Sequence, residues 1–131
     1  TGEEMNSRLV LAGLVSDDAA LNFARRAQQR FPEDDSVALV SSAHMLMYES
    51  EYAPLSNQER SEATDNLTRL VTSEGYLSDY NSDLRLMGYR AIAELSDTDR
   101  AIGLLEGALE RETDERLRGE LENLIAVGNY Q

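Results

Sequence analysis

Ala20-Leu21-Asn22-Phe23-Ala24-Arg25-Arg26-Ala27, closing on Phe31-Pro32, decides how the chain folds. The same phrase returns as Ala101-Ile102-Gly103-Leu104-Leu105-Glu106-Gly107-Ala108, closing on Glu112-Thr113. A weaker copy lies between them, where Ala63, Leu67 and Leu70 hold the places of Ala20, Ala24 and Ala27. Small and apolar residues at four-then-three spacing fall on one narrow stripe of a helix. Repeated along a chain, such stripes mark stacked helical hairpins, each too small to bury its apolar face alone.

Seven helical segments can be read, and no strand alternation interrupts them. The first covers residues 3 to 15, with Thr1 and Glu4 as a capping box. The second begins at Asp17-Asp18 and runs to Arg30, where Phe31-Pro32 ends it. Asp34-Asp35-Ser36 opens a third through Val37, Leu39, Val40, Ala43, Leu46 and Met47. Residues 51 to 57 read as a loop. Ser56 with Glu59 then starts a fourth helix that stops at Gly75. Residues 76 to 81 read as another loop, and Tyr80 to Leu95 as the fifth helix. Ser96 with Asp99 caps a sixth, Arg100 to Arg111, and Asp114 opens the last, stopped by Gly128. The chain is all-α.

These residues resemble a tetratricopeptide-repeat array, a family in which each repeat is a helix–turn–helix. Ala20, Ala27 and Pro32 match its small positions and closing proline, and Ala101, Leu105 and Ala108 match again. Gly128-Asn129-Tyr130 looks like the turn between paired helices, and Ala12-Gly13 and Gly103…Gly107 are small residues of the kind that permit close backbone approach. The spacings from Ala20 to Ala63 and from Ala63 to Ala101 exceed the family's period of ~34 residues, and Thr113 and Gly75 stand where proline is common. HEAT-type repeats fit those spacings better but lack their usual internal prolines here. The resemblance implies an antiparallel helix-hairpin solenoid whose first helices line a concave groove. Ser41, His44, Tyr48, Arg85, Tyr89, Glu120 and Asn123 are the residues expected to face it.

Composition narrows the class of work. Twelve basic against 25 acidic residues give a net charge of −13, and every cation is arginine. Nucleic acids and anionic membranes both ask for clustered cations, so neither is the expected partner. A protein or peptide, especially a basic one, is favoured electrostatically. Solubility of a helical surface is the plainer account of the charge. The longest apolar stretches fall far short of the ~20 residues of a membrane span. No cysteine is present, which removes disulfides and thiolate sites but leaves the compartment open.

Nothing resembling a catalytic, metal or cofactor constellation stands out. His44 is the lone histidine, and beside Ser41, Ser42, Met45 and Met47 it fits a helix–helix contact better than a base or soft-metal ligand. Asp79-Tyr80-Asn81-Ser82-Asp83 imitates the start of a calcium loop, but Leu84 and Arg90 occupy the glycine and glutamate places. Capping by Asn81 or Ser82 explains it better. Five tyrosines, Tyr48, Tyr52, Tyr76, Tyr80 and Tyr89, crowd the middle, where they suit either a recognition surface or gaps between hairpins.

The expectation is therefore one domain over residues 1–131, a fragment of a longer protein, acting as a non-catalytic interaction module without cofactor or metal. An accessory segment of a larger enzyme or envelope assembly is the alternative. Self-association through an exposed terminal helix is also expected.

Overall fold

The computed structural model describes residues 2–4, 8, 17–51 and 53–130. The expected first helix and its Thr1 cap fall largely outside them, as do Gly13 and Tyr52. Among the described residues the chain is helical without strands: α1 Asp17–Arg30, α2 Asp35–Tyr48, α3 Asn57–Val71, α4 Tyr76–Asp79, α5 Ser82–Ile92, α6 Thr98–Arg111 and α7 Glu115–Asn129.

Helix starts follow local chemistry. Asp34, Asn81, Asp97 and Asp114 each accept the main-chain N–H three residues on, at 3.0–3.2 Å. Each thereby satisfies one amide group that the helix leaves without a partner. Ser56 and Glu59 close the expected capping box, with bonds of 3.1 and 3.0 Å in opposite directions. At α6 the cap is Asp97, not the expected Ser96–Asp99 pair, and the helix begins at Thr98.

Helix ends depart further from expectation. α3 stops at Val71, and Gly75 has right-handed angles (φ −80°, ψ −4°) at the start of the short α4. A glycine stop depends on positive φ, and none occurs among the described residues. Gly128 likewise lies inside α7, which continues to Asn129, so the expected turn there is helix. α4 itself replaces part of the loop expected over residues 76 to 81 and carries the fully buried Tyr76 into the core.

α2 is the centre of the packing. Its ten residues from Val37 to Leu46 are all buried, so no face of that stretch meets solvent. A helix buried all round is a core helix, and it contacts α1, α3 and α5. The opening phrase delivers what its spacing implied: Ala20, Leu21, Ala24 and Ala27 of α1 are fully buried, as is Leu67 of α3. Ala101, Leu105 and Ala108 of α6 are buried in turn, and α6 packs chiefly on α7. α5 joins the two parts, touching α2, α3, α6 and α7. Gly103 and Gly107 take no part, because a Cβ on either would meet nothing within 4 Å. They are not the close-approach positions expected of them. Gly88 is one: a Cβ there would lie 2.2 Å from the Tyr76 hydroxyl oxygen.

Candidate functional site

The residues expected to line a groove divide into two groups. Ser41 (0 % exposed), His44 (4 %), Arg85 (9 %) and Tyr89 (1 %) are buried, which corrects their placement on a solvent-facing surface. Tyr48 and Glu120 are half-buried, and Asn123 is exposed. Ser41 Oγ lies 2.6 Å from the Val37 carbonyl and 2.5 Å from the Gln28 side chain, so it serves the α1–α2 contact. His44 Nδ1 is 2.9 Å from the Val40 carbonyl, and its ring stacks at a tilt on Tyr48, centroids 5.2 Å apart. Burial holds its pKa below the ordinary histidine value, so the ring is neutral at pH 7.

Arg85 and Tyr89 belong to a buried polar cluster built around Glu112, whose side chain is fully covered. The Arg85 guanidinium donates to Glu112 from Nε (3.0 Å) and from Nη2 (3.1 Å). The Tyr89 hydroxyl donates at 2.7 Å, and the amides of Thr113 and Asp114 add bonds of 2.9 and 3.0 Å. Burial alone would raise the Glu112 pKa, but the Arg85, Asp114 and Tyr89 hydrogen bonds outweigh it and leave the carboxyl below its usual range. Arg85 also donates to the carbonyls of Leu77 (3.2 Å) and Tyr80 (2.8 Å), and its own carbonyl accepts from Tyr76 at 2.9 Å. One carboxylate thus ties α4, α5 and the α6–α7 junction together. Tyr76 packs on Tyr80 and Tyr89 with ring centroids 5.5 and 5.7 Å apart. Three of the five central tyrosines, Tyr76, Tyr80 and Tyr89, therefore fill the interior.

No periodicity marks Glu112. It sits where the repeat phrase closes, one residue beyond α6, and its partners lie 23 and 27 residues earlier. The Arg85–Tyr89 spacing, four apart on one helix, gives no sign of that partner by itself.

Chemistry elsewhere is sparse. Among the described residues no group of three histidine or carboxylate side chains is placed to hold a metal ion. Asn81 caps α5 and Asp83 pairs with Arg116 at 3.3 Å, so the calcium-like phrase is used for helix starts and surface pairing. No described helix is long and apolar enough to cross a membrane.

Two of the clefts lie between packed helices. One, of about 140 Å³, lies among α1, α2 and α3 and is lined by polar groups including Gln28, Ser42 and Asn66. Across it Arg25 Nε meets Glu59 at 2.7 Å, lowering the Glu59 pKa through that hydrogen bond. The other, of about 350 Å³, lies between the end of α5, α6 and α7. Its walls are mixed: Ile102, Leu105, Leu124 and Val127 stand beside Glu94, Ser96 and Thr98, and more of the exposed surface is polar than apolar. Val127 is 58 % exposed there, and Tyr130, just beyond α7, is 91 % exposed.

Comparison with known proteins returned no matching family model, curated protein or solved structure.

Proposed function

We propose that this chain is a non-catalytic, tetratricopeptide-like helical module that holds a protein or peptide partner at the α6–α7 cleft. The observation that carries the reading is the exposure of Val127 and Tyr130 beside a cleft that holds apolar side chains and a polar edge, on a strongly acidic chain. Packing is consistent with stacked helix pairs. α2 touches both its successor α3 and the later α5, and α5 repeats the pattern with α6 and α7. Glu120, Asn123 and Val127 follow one another at three- and four-residue spacing, so two of the residues expected at a binding surface extend the same stripe of α7.

The partner is an apolar segment flanked by basic residues. Apolar side chains fill the cleft, and arginines or lysines at its ends meet Glu94 and the surrounding negative field. A test is calorimetric titration of the intact chain with a leucine- and arginine-rich helical peptide, against one whose arginines are replaced by glutamine. Binding that weakens with salt and is abolished by Val127→Glu with Tyr130→Ser supports the assignment. Both positions are exposed, so the fold tolerates the change. Equal binding of the two peptides, or binding untouched by the variant, refutes it.

A further inference from the structure

Of the twelve arginines, six pair with carboxylates. Arg100 donates to the Thr68 hydroxyl, Arg111 to the Thr72 carbonyl and Arg118 to the Leu109 carbonyl. The three that remain, Arg8, Arg26 and Arg30, make no such bond among the described residues. Those three line a single cleft of about 450 Å³, together with Phe23 and Gln29. In a chain with 25 carboxylates, the uncommitted guanidinium groups are gathered in one place.

Two of them are also held in position. Arg26 Cζ lies 5.2 Å from the Phe23 ring centroid, and Arg30 Cζ lies 5.7 Å from that of Phe31. Stacking occupies the face of a guanidinium and leaves its N–H edges open for an oxyanion. It also removes side-chain freedom before any ligand arrives, which lowers the cost of binding. The acidic residues that follow Arg30 do not fill the role: Asp34 caps α2, and no ion pair joins Arg30 to Glu33. The cleft's volume lies within the ~300–1,000 Å³ of small-ligand sites.

We propose that Arg8, Arg26, Arg30 and Gln29 bind a phosphate dianion, free or carried on a small molecule or peptide. Three guanidinium groups around one cleft suit a tetrahedral group with several equivalent oxygens, whereas one carboxylate engages a single fork. A nucleic-acid backbone is opposed by the net charge of −13, while a compact dianion feels that field only within a Debye length of ~8 Å at physiological salt. The site is separate from the α6–α7 cleft, and its occupancy does not depend on that reading.

The test is an NMR titration of the intact chain with inorganic phosphate at pH 7.5, following main-chain and arginine Nε signals, with chloride matched in ionic strength. Saturable shifts centred on Arg26, Gln29 and Arg30 are expected. Each arginine-to-glutamine change should weaken binding about tenfold, since a charge-assisted hydrogen bond is lost. Glutamine keeps the helix, which circular dichroism verifies. Arg26→Lys with Arg30→Lys should weaken binding less, because charge is kept and the fork is lost. Phenyl phosphate and a phosphoserine peptide identify the carrier: whichever binds more tightly than free phosphate names it. Shifts that never saturate, unchanged affinity in Arg26→Gln with Arg30→Gln, or tighter binding of malonate or of a short oligonucleotide would overturn the proposal.

Discussion

Replacing Glu112 by glutamine removes one charge and changes almost no volume, yet it should be among the most damaging single substitutions in the chain. The carboxylate accepts from Nε and Nη2 along one edge of the Arg85 guanidinium, from Tyr89 and from two main-chain amides. Glutamine has one acceptor oxygen. Its NH2 group must face either the guanidinium or the amides of Thr113 and Asp114, setting donor against donor. The Arg85 side chain is 11 % exposed, so its charge is left with little solvent to compensate it. Breaking a buried pair by removing one member costs about 3–5 kcal/mol. The retained oxygen places Glu112→Gln near the lower end, at about 3 kcal/mol, a large part of the ~5–15 kcal/mol of a typical domain. In urea, monitored by circular dichroism, that is a midpoint lowered by about 1–3 M. Arg85→Met alone should cost less, because Glu112 keeps Tyr89 and the two amides. The double variant should lose less than the two single losses summed, with a favourable coupling above about 1.5 kcal/mol. A loss under about 1 kcal/mol for Glu112→Gln, or a coupling near zero, would refute the view that this cluster is a cooperative tie. The pH dependence has a fixed sign. The folded-state pKa of Glu112 lies below its unfolded value, so its stabilisation is present above the usual carboxylate range and is lost as pH falls through the folded-state value. Glu112→Gln should flatten that part of the acid limb.

Further outcomes test other parts of the structure. Gly88→Ala brings a methyl group to 2.2 Å from the Tyr76 hydroxyl and should cost about 1–3 kcal/mol in chemical denaturation, with Tyr76→Phe in the same chain recovering part of it. Gly103→Ala and Gly107→Ala, where a methyl group meets nothing within 4 Å, should each stabilise by about 0.5–1 kcal/mol and raise the thermal midpoint. His44 has a folded pKa below its unfolded value, so stability should fall as pH drops below about 6.5 and level off once the folded ring also protonates. Denaturant midpoints at pH 7.5 and 5.5 should differ less in His44→Gln than in the parent chain.

Helix beginnings were legible because a cap acts over three residues. Asp34, Ser56 and Asp114 announce their helices without help from the rest of the fold, and Asn81 does so inside a phrase that imitates a metal loop. The core stripe of α1 was legible for a similar reason, since one face repeats at fixed spacing. The ends at Arg30 and Arg111 were legible too, but the two glycine stops were not, because Gly75 and Gly128 stop a helix only if the chain needs a left-handed residue there, and tertiary packing decides that. The fate of Arg85 and Tyr89 was hidden altogether. Polar residues four apart on a helix look like a wet face, and what covers them arrives from Glu112, far along the sequence. His44 was half legible: its apolar neighbours announced a helix contact, while its spacing from Ser41 and Tyr48 suggested a lining. The α1 cleft escaped notice because uncommitted arginines are defined by what the other nine bind, which composition does not reveal.

Helix α2, buried along ten consecutive residues, has a consequence for how this chain can change over time. Ala38, Ser41 and Ala43 are buried on a helix packed against three others, so a larger side chain at any of them displaces its neighbours rather than finding open space. The outer face of α6 is the opposite case, with open space even at its glycines. A saturation-mutagenesis map should therefore show a dark band from Val37 to Leu46 with no helical rhythm in it, beside a strongly rhythmic band over α6. Sequence drift in this protein should gather on its flanks and spare its middle helix.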